Sequence, residues 1–337
     1  MPRARFNRWV GIGLAIAVVA IGIAWLWPQD RARIIAKGKS DLPSEPVRTA
    51  VRSTASLPPI ERPLRYSLSQ LEELANQGLP PAACRLAAEY EVCAEAPAVL
   101  QDHDRWLLER RAALPLVAMD GPGAEINIFR ASFEAELAQR ESLLSQIKEH
   151  CIDVEVPSAA ARLHRWRQAA RMGSRPAIIH YSSGRAFEMG SVLETRGALG
   201  AYEREAEPLL LQLAEEGDVE AIALLANAYS PLATHSPSLL AQAVSQDGGK
   251  ALALFHIARD AVATVDSALG EKIKVDLTRQ IDLLVGALPE EEVARGRAIL
   301  ADIASTWAPP STKYLHESIG TPGRRVTVNP SNCAEHG

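Results

Sequence analysis

The sequence lacks features that are typical of β-rich, metal-binding and nucleic-acid-binding proteins. Long runs of β-branched residues are scarce and aromatic residues make up 5% of the 337 positions, so an all-α fold is expected. There is no C-x-x-C pair to suggest a metal or dithiol site. With 36 basic and 41 acidic residues, the chain has no overall basic field that would attract nucleic acid.

Motifs for catalysis are also weak. Ser145 and Lys148 have the S-x-x-K spacing of some serine nucleophiles, but neither S-D-N nor K-T-G accompanies them. Residues 121–123 (GPG) lack the strand-to-helix context of a phosphate loop and are expected to form a turn. His150 beside Cys151 offers two metal ligands where zinc needs four, so a disulfide explains Cys151 better. We therefore predict no catalytic, cofactor-binding or metal-binding residue, and expect that the protein is not an enzyme.

A pattern centred on glycine occurs three times. Its core, A-x-x-G-x-x-x-A, is typical of a helix that ends at a left-handed glycine, with alanines that let a second helix return close to the first. The central glycines are Gly78, Gly173 and Gly217, and two copies continue to a tyrosine, Tyr90 and Tyr229. The recurrence predicts a solenoid of helical hairpins. The alternative is three unrelated hairpins that share small corner residues.

The residues around the third corner resemble the Sel1-like repeat, a relative of the tetratricopeptide repeat. That family has A-x-x-x-L-G-x-x-Y in the second helix of each hairpin. The chain keeps Ala221, Leu225 and Tyr229, but Ala226 replaces the family's glycine and the spacing between the corners is irregular. The resemblance implies stacked helix pairs that act as an adaptor for other proteins, often in envelope or signalling assemblies.

The N-terminal segment is predicted to cross a membrane. Residues 1–9 are basic and expected to be cytoplasmic, whereas Val10 to Trp27 carries no charge. These 18 residues span about 27 Å as a helix, close to the roughly 30 Å hydrocarbon core of a bilayer. No small-x-small site follows, which favours a retained anchor over a cleaved signal peptide. Residues 28–62, rich in proline and polar residues, are predicted to be a disordered linker.

The four cysteines favour an oxidising compartment, because an even number in an exported chain is typical of disulfides. Cys84 and Cys93 are nine residues apart, about 13 Å along a continuous helix and too far to bond to each other. A link between Cys93 and Cys151, each at a helix end, is favoured, and Cys84 would then pair with Cys333. The alternative is four buried thiols in a cytosolic domain. The favoured location is the periplasmic side of the inner membrane, with a single pass.

The folded domain is predicted over residues 63–308, with an extended tail over 309–337. Residues 97–150 interrupt the repeats as an inserted helical hairpin, whose helices are broken at Pro115 and at the GPG turn. We expect this hairpin to pack back on the repeat helices.

The basic helix over residues 162–175 raises the question of a partner. Its charges spread around the helix, which favours a solvated surface over a track for phosphates. Arg167 and Arg171 point away from the predicted buried stripe and are candidate contacts for an acidic peptide. The expected function is a membrane-anchored, extracytoplasmic repeat scaffold that binds a protein or peptide. The alternatives are an envelope hydrolase, with the 97–150 hairpin as a lid, and a structural spacer.

Overall fold

A computed structural model describes residues 56–120, 123–232, 238–313, 315 and 328–334. Secondary structure in these residues is helical, apart from one isolated bridge between Asp218 and Ser311, which confirms the all-α prediction for this part of the chain. None of the helices found there combines the length and the hydropathy that a membrane span requires. The predicted anchor, residues 10–27, and the linker up to residue 55 lie outside the described residues.

The α-helices of this part are numbered in chain order. They are α1 (Leu68–Asn76), α2 (Pro80–Asp120), α3 (Gly123–Cys151), α4 (Ala159–Arg171), α5 (Arg175–Ser182), α6 (Val192–Thr195), α7 (Leu199–Glu215), α8 (Val219–Tyr229), α9 (Leu239–Ala243), α10 (Gly248–Val262), α11 (Ala268–Ala287) and α12 (Glu290–Thr306). Short 3₁₀ helices lie at Leu64–Tyr66, Met189–Ser191, Arg196–Ala198 and Pro330–Cys333.

The helices pack largely in chain order. Three antiparallel pairs, α1 with α2, α4 with α5 and α7 with α8, follow one another. Each pair packs on the next through α2 with α4, α5 with α7, and α8 with α10. Helices α11 and α12 cover α10 at the end of the series. The second helices are the most enclosed: every residue from Ala82 to Tyr90 in α2 is buried, as is every residue from Pro176 to Ser182 in α5.

The three corner glycines have nearly the same geometry. Gly78, Gly173 and Gly217 have φ values of +86°, +87° and +88°, a region that residues with a Cβ rarely adopt. In each corner the glycine N–H donates to the carbonyl three residues before it. The N–H of the next residue donates to the carbonyl five residues before itself, and all of these bonds measure between 2.9 and 3.2 Å. This is the Schellman motif, which satisfies carbonyls left open at a helix end. Gly184 ends α5 in the same way, with φ +82°.

The insertion forms a two-helix arm, defined here as residues 97–150. Helix α2 is continuous through Pro115, so the prediction that this proline breaks the helix is wrong. An interior proline removes one main-chain hydrogen bond and bends a helix, but it does not have to end it. Helix α3 packs on α2 and on the 3₁₀ helix Leu64–Tyr66 at the base of the arm. None of the described side chains between 94 and 150 is buried, so the arm is less enclosed than the helices of the hairpins.

Two disulfides connect distant parts of the chain in the pairing that the sequence favoured. Cys93 bonds to Cys151 across the base of the arm, with a Cα–Cα distance of 5.4 Å. Cys84 bonds to Cys333, 249 residues later, with a Cα–Cα distance of 5.6 Å. The second bond holds the 3₁₀ helix Pro330–Cys333 against α2, and this helix also contacts α5.

Candidate interaction surfaces

Four of the five arginines in the basic segment over residues 162–175 contact acidic residues of other elements. These pairs join Arg162 to Glu188, Arg165 to Glu72, Arg167 to Glu205, and Arg175 to both Asp218 and Glu220. The partners lie between 26 and 93 positions away in the sequence, on α1, α7, α8, the residue before α8 and the loop after α5. The basic segment therefore links neighbouring hairpins, which explains its charge without a phosphate ligand.

The two candidate partner contacts have different environments. Arg167 Nε donates to Glu205 Oε2 at 2.7 Å, and a second guanidinium nitrogen pairs with Oε1. The hydrogen bond from Arg167 lowers the pKa of Glu205, and the charges of Arg171 and Arg204 act in the same direction. Arg171 is exposed at the last turn of α4. A role in binding a partner stays a prediction for both residues, but the guanidinium of Arg167 is already engaged.

A polar contact recurs where two of the hairpins meet the next helix. In each case a tyrosine of the second helix donates to a glutamate on the first helix, and a cation from the following hairpin or helix lies over the tyrosine ring. The two sets are Tyr90 with Glu72 and Arg165, and Tyr229 with Glu207 and Lys250. Arg185, at the equivalent position of the second hairpin, lies 3.8 Å from Glu220 of the third. The sequence pattern located the tyrosines but not their partners.

A buried polar cluster joins α2, α4 and α5. Glu91 Oε2 accepts a hydrogen bond of 2.6 Å from Trp166 Nε1 and lies 2.9 Å from His180 Nε2. The Trp166 and His180 rings pack with their centroids 4.2 Å apart, and both side chains are 1% exposed. Because Trp166 and His180 are buried and Glu91 is only partly exposed, the geometry of the cluster suits holding the first two hairpins together.

A second buried polar group connects α2 to the residues that precede the first helix and to the base of the arm. Glu89 accepts from Arg85 Nε at 3.2 Å and lies 2.6 Å from His150 Nε2. Arg85 also donates to the carbonyls of Pro58 and Pro59. His150 therefore faces a carboxylate of α2. Within the described ranges, no cluster of histidine, cysteine, aspartate and glutamate has the arrangement of a metal site.

The arm presents apolar side chains to solvent. Leu108 and Ile128 are each 69% exposed, and Leu100 and Leu143 are about half exposed. Near its base, a groove of about 310 Å³ is bordered by the Cys93–Cys151 bond and mainly by aliphatic side chains. Apolar side chains of this size at the surface are a feature of protein-binding sites when they are grouped.

The corner at Gly217 is covered by the chain itself. The N–H of Ala308 donates to the Glu215 carbonyl at 2.8 Å, and the N–H of Ser311 donates to the Gly217 carbonyl at 2.7 Å. A Cβ on Gly217 would collide with the Pro309 carbonyl oxygen, whereas a Cβ on Gly78 or Gly173 would meet no described atom within 4 Å. Gly217 is therefore required both by its φ and by the close approach of this segment. The sequence suggested only the first reason.

These features define the class as an all-α protein of packed helical hairpins with a projecting arm. Comparison with protein-family models, curated proteins and solved structures finds no match to the chain. The similarity to Sel1-like repeats stays a prediction that rests on the corner residues.

Proposed function

We propose that this protein is a membrane-anchored, extracytoplasmic helical-repeat scaffold that binds another protein through its arm. The observation that carries the proposal is the contrast in burial between the arm and the hairpins. The hairpins place their large apolar side chains inside, whereas Leu108 and Ile128 of the arm remain mostly exposed. A partner that covers these side chains would remove apolar surface from water, which favours association.

The repeat character of the scaffold is supported by two kinds of recurring geometry. The corners share their φ values and main-chain hydrogen bonds, and two hairpins share the tyrosine–glutamate–cation contact. Unrelated hairpins would share a glycine corner more readily than a contact that also needs the following helix. This supports the proposal that the hairpins are degenerate repeats of the Sel1-like kind.

The proposed location rests on the disulfides and on the N-terminal segment. Two disulfides are typical of proteins outside the reducing cytoplasm. The uncharged segment Val10 to Trp27 has the length of one membrane crossing. An anchored domain in the periplasm agrees with both features.

The alternative functions lack comparable support. A hydrolase would place converging polar groups in a cavity, but the groove at the base of the arm is bordered mainly by aliphatic side chains. A structural spacer would gain nothing from exposed leucine and isoleucine on a long arm, because such side chains promote association. Protein binding accounts for the arm better than either alternative.

Photo-crosslinking in native membranes tests the role of the arm. A photo-reactive residue replaces Leu108 or Ile128 in the full-length chain, and Val275 of α11, which is 57% exposed, provides the control position. We expect both arm positions to give the same crosslinked partner, and Val275 to give none of it. The charged variants Leu108→Asp and Ile128→Asp, each tested with the probe at the other position, should reduce the yield. Equal crosslinking from Val275, or none from either arm position, would contradict the proposal.

A further inference from the structure

The corner at Gly217 is occupied by a segment that binds through its main chain. Residues 308–311 follow α12 and use the N–H groups of Ala308 and Ser311, while the side chains of all four residues are exposed. A parallel bridge between Ser311 and Asp218 extends the contact. The segment contains Pro309 and Pro310, which favour an extended conformation. Recognition at this corner therefore depends on an extended main chain and on the absence of a side chain at Gly217.

The corner at Gly173 offers the same groups. Its glycine φ differs from that of Gly217 by one degree, from +87° to +88°, and its Schellman hydrogen bonds are equivalent. The carbonyls that correspond to those of Glu215 and Gly217 belong to Arg171 and Gly173. No main-chain N–H within the described part of the chain donates to either of them. A Cβ on Gly173 would meet no described atom within 4 Å.

We propose that the corner formed by residues 171–174 binds an extended, proline-containing segment of a partner protein, in the way that the Gly217 corner binds residues 308–311. This site is separate from the arm and goes beyond the proposed scaffold function. The chain's own segment on the equivalent corner shows which kind of ligand the geometry accepts. Two main-chain hydrogen bonds give modest affinity, so the site suits a contact that adds to binding elsewhere on the molecule.

The charge near the open corner specifies the ligand further. The exposed residue two positions before the glycine is Glu215 at the occupied corner and Arg171 at the open one. The segment on the occupied corner continues to Lys313, a basic residue. In a ligand that binds the corner at Gly173 in the same register, an acidic residue at the position of Lys313 would be opposite in charge to Arg171.

The test uses two synthetic peptides and the purified full-length chain in detergent. One peptide has the sequence of residues 306–313 (TWAPPSTK) with a photo-reactive residue at the position of Thr312, and the other carries glutamate in place of the final lysine. We expect the glutamate peptide to crosslink to residues near 171–174, and to do so about fivefold more efficiently than the lysine peptide, the size of a partly screened charge pair. The variant Arg171→Glu should reverse this preference.

A side chain at the glycine provides the decisive variant. Asparagine tolerates a positive φ, so Gly173→Asn should keep the corner while its side chain blocks the close approach of the peptide. Both main-chain hydrogen bonds would be lost, so the crosslinking yield should fall by at least about tenfold. Gly286→Asn on α11 is the matched control, since a Cβ there also meets no described atom within 4 Å, and it should leave the yield unchanged. Crosslinking that is unaffected by Gly173→Asn, or that maps to the Gly78 corner instead, would overturn the assignment. The arm variants should not alter this binding, so a failure here is distinguishable from a failure of the arm proposal.

Discussion

The hairpins and the arm are built from similar helices but use their side chains differently. Trp166 in the second hairpin is 1% exposed and bonded to Glu91, whereas Trp106 in the arm is partly exposed and stacks on Phe133, with Arg140 over its ring. In the hairpins both apolar and charged side chains meet partners on neighbouring helices. In the arm, one face of each helix meets the other helix and the remaining faces meet solvent. From this comparison we expect the hairpins to provide most of the stability, whereas the arm leaves apolar side chains exposed.

The two tryptophans test this division most strongly. Replacing Trp166 with alanine leaves a large cavity and removes the donor to Glu91, so we expect a loss of about 3–5 kcal/mol in the free energy of unfolding. Trp106→Ala removes stacking contacts at the surface and should cost about 1 kcal/mol. Urea denaturation of the full-length chain in detergent, followed by circular dichroism, measures both values. Similar losses for the two variants would show that the arm is as tightly packed as the hairpins.

Removing each disulfide in turn compares the stability of the hairpins with that of the arm. Removing a disulfide of this kind costs about 2–4 kcal/mol, and more for a longer closed loop. The double variant Cys84→Ser and Cys333→Ser should therefore lower the melting temperature of the whole domain, because that bond closes 249 residues.

The double variant Cys93→Ser and Cys151→Ser should act mainly on the arm. Its bond closes 58 residues at the base, so we expect faster proteolytic cleavage within residues 97–150 and a smaller shift of the melting temperature. Limited proteolysis with mass spectrometry locates the cuts. Cleavage spread evenly over hairpins and arm would contradict a separate role for the arm.

Ion pairs provide the smallest contrast. At pH 7, Glu205→Gln weakens the charge-assisted contact with Arg167 between α4 and α7, at an expected cost of about 1 kcal/mol in the free energy of unfolding. Glu136→Gln in the arm disrupts more exposed contacts with Arg110 and Arg140, and should cost about 0.5 kcal/mol or less.

The effect of Glu205→Gln should depend on pH with a defined sign. Since the pKa of Glu205 is lowered in the folded protein, its stabilising contribution is complete above the ordinary glutamate pKa of about 4.3. It is lost as the pH falls through the lowered value, where the wild-type carboxylate becomes protonated. Urea denaturation at several pH values should show the wild-type and variant curves converging in acid. A constant difference over this range would rule out the ion pair as the cause.

Local features of the fold were predictable, because they depend on few residues. A helix that ends in a left-handed turn needs glycine at that point, so Gly78, Gly173 and Gly217 indicated their corners directly. Cysteine spacing excluded a bond between Cys84 and Cys93 and favoured the pairs that the structure contains.

Features that depend on the assembled fold were not predictable. The partner of Arg165 is Glu72, 93 residues away, and no local pattern identifies it. Pro115 resembled a helix breaker, but the helix continues past it in the arm. The docking of residues 308–311 on Gly217 uses main-chain groups, which every sequence supplies, so side-chain patterns contain no signal for it. Of the two candidate partner contacts, Arg171 is exposed, whereas Arg167 is partly buried against Glu205, a carboxylate that another helix supplies.

The bond between Cys84 and Cys333 imposes an order on biosynthesis. Cys84 emerges from the ribosome long before Cys333, and its thiol has no correct partner until nearly all of the intervening chain has been made. If the chain is exported as proposed, early oxidation of Cys84 with Cys93 or Cys151 would produce a mispaired intermediate that requires a disulfide isomerase to resolve it. Cells without that isomerase should therefore accumulate mispaired forms of this protein.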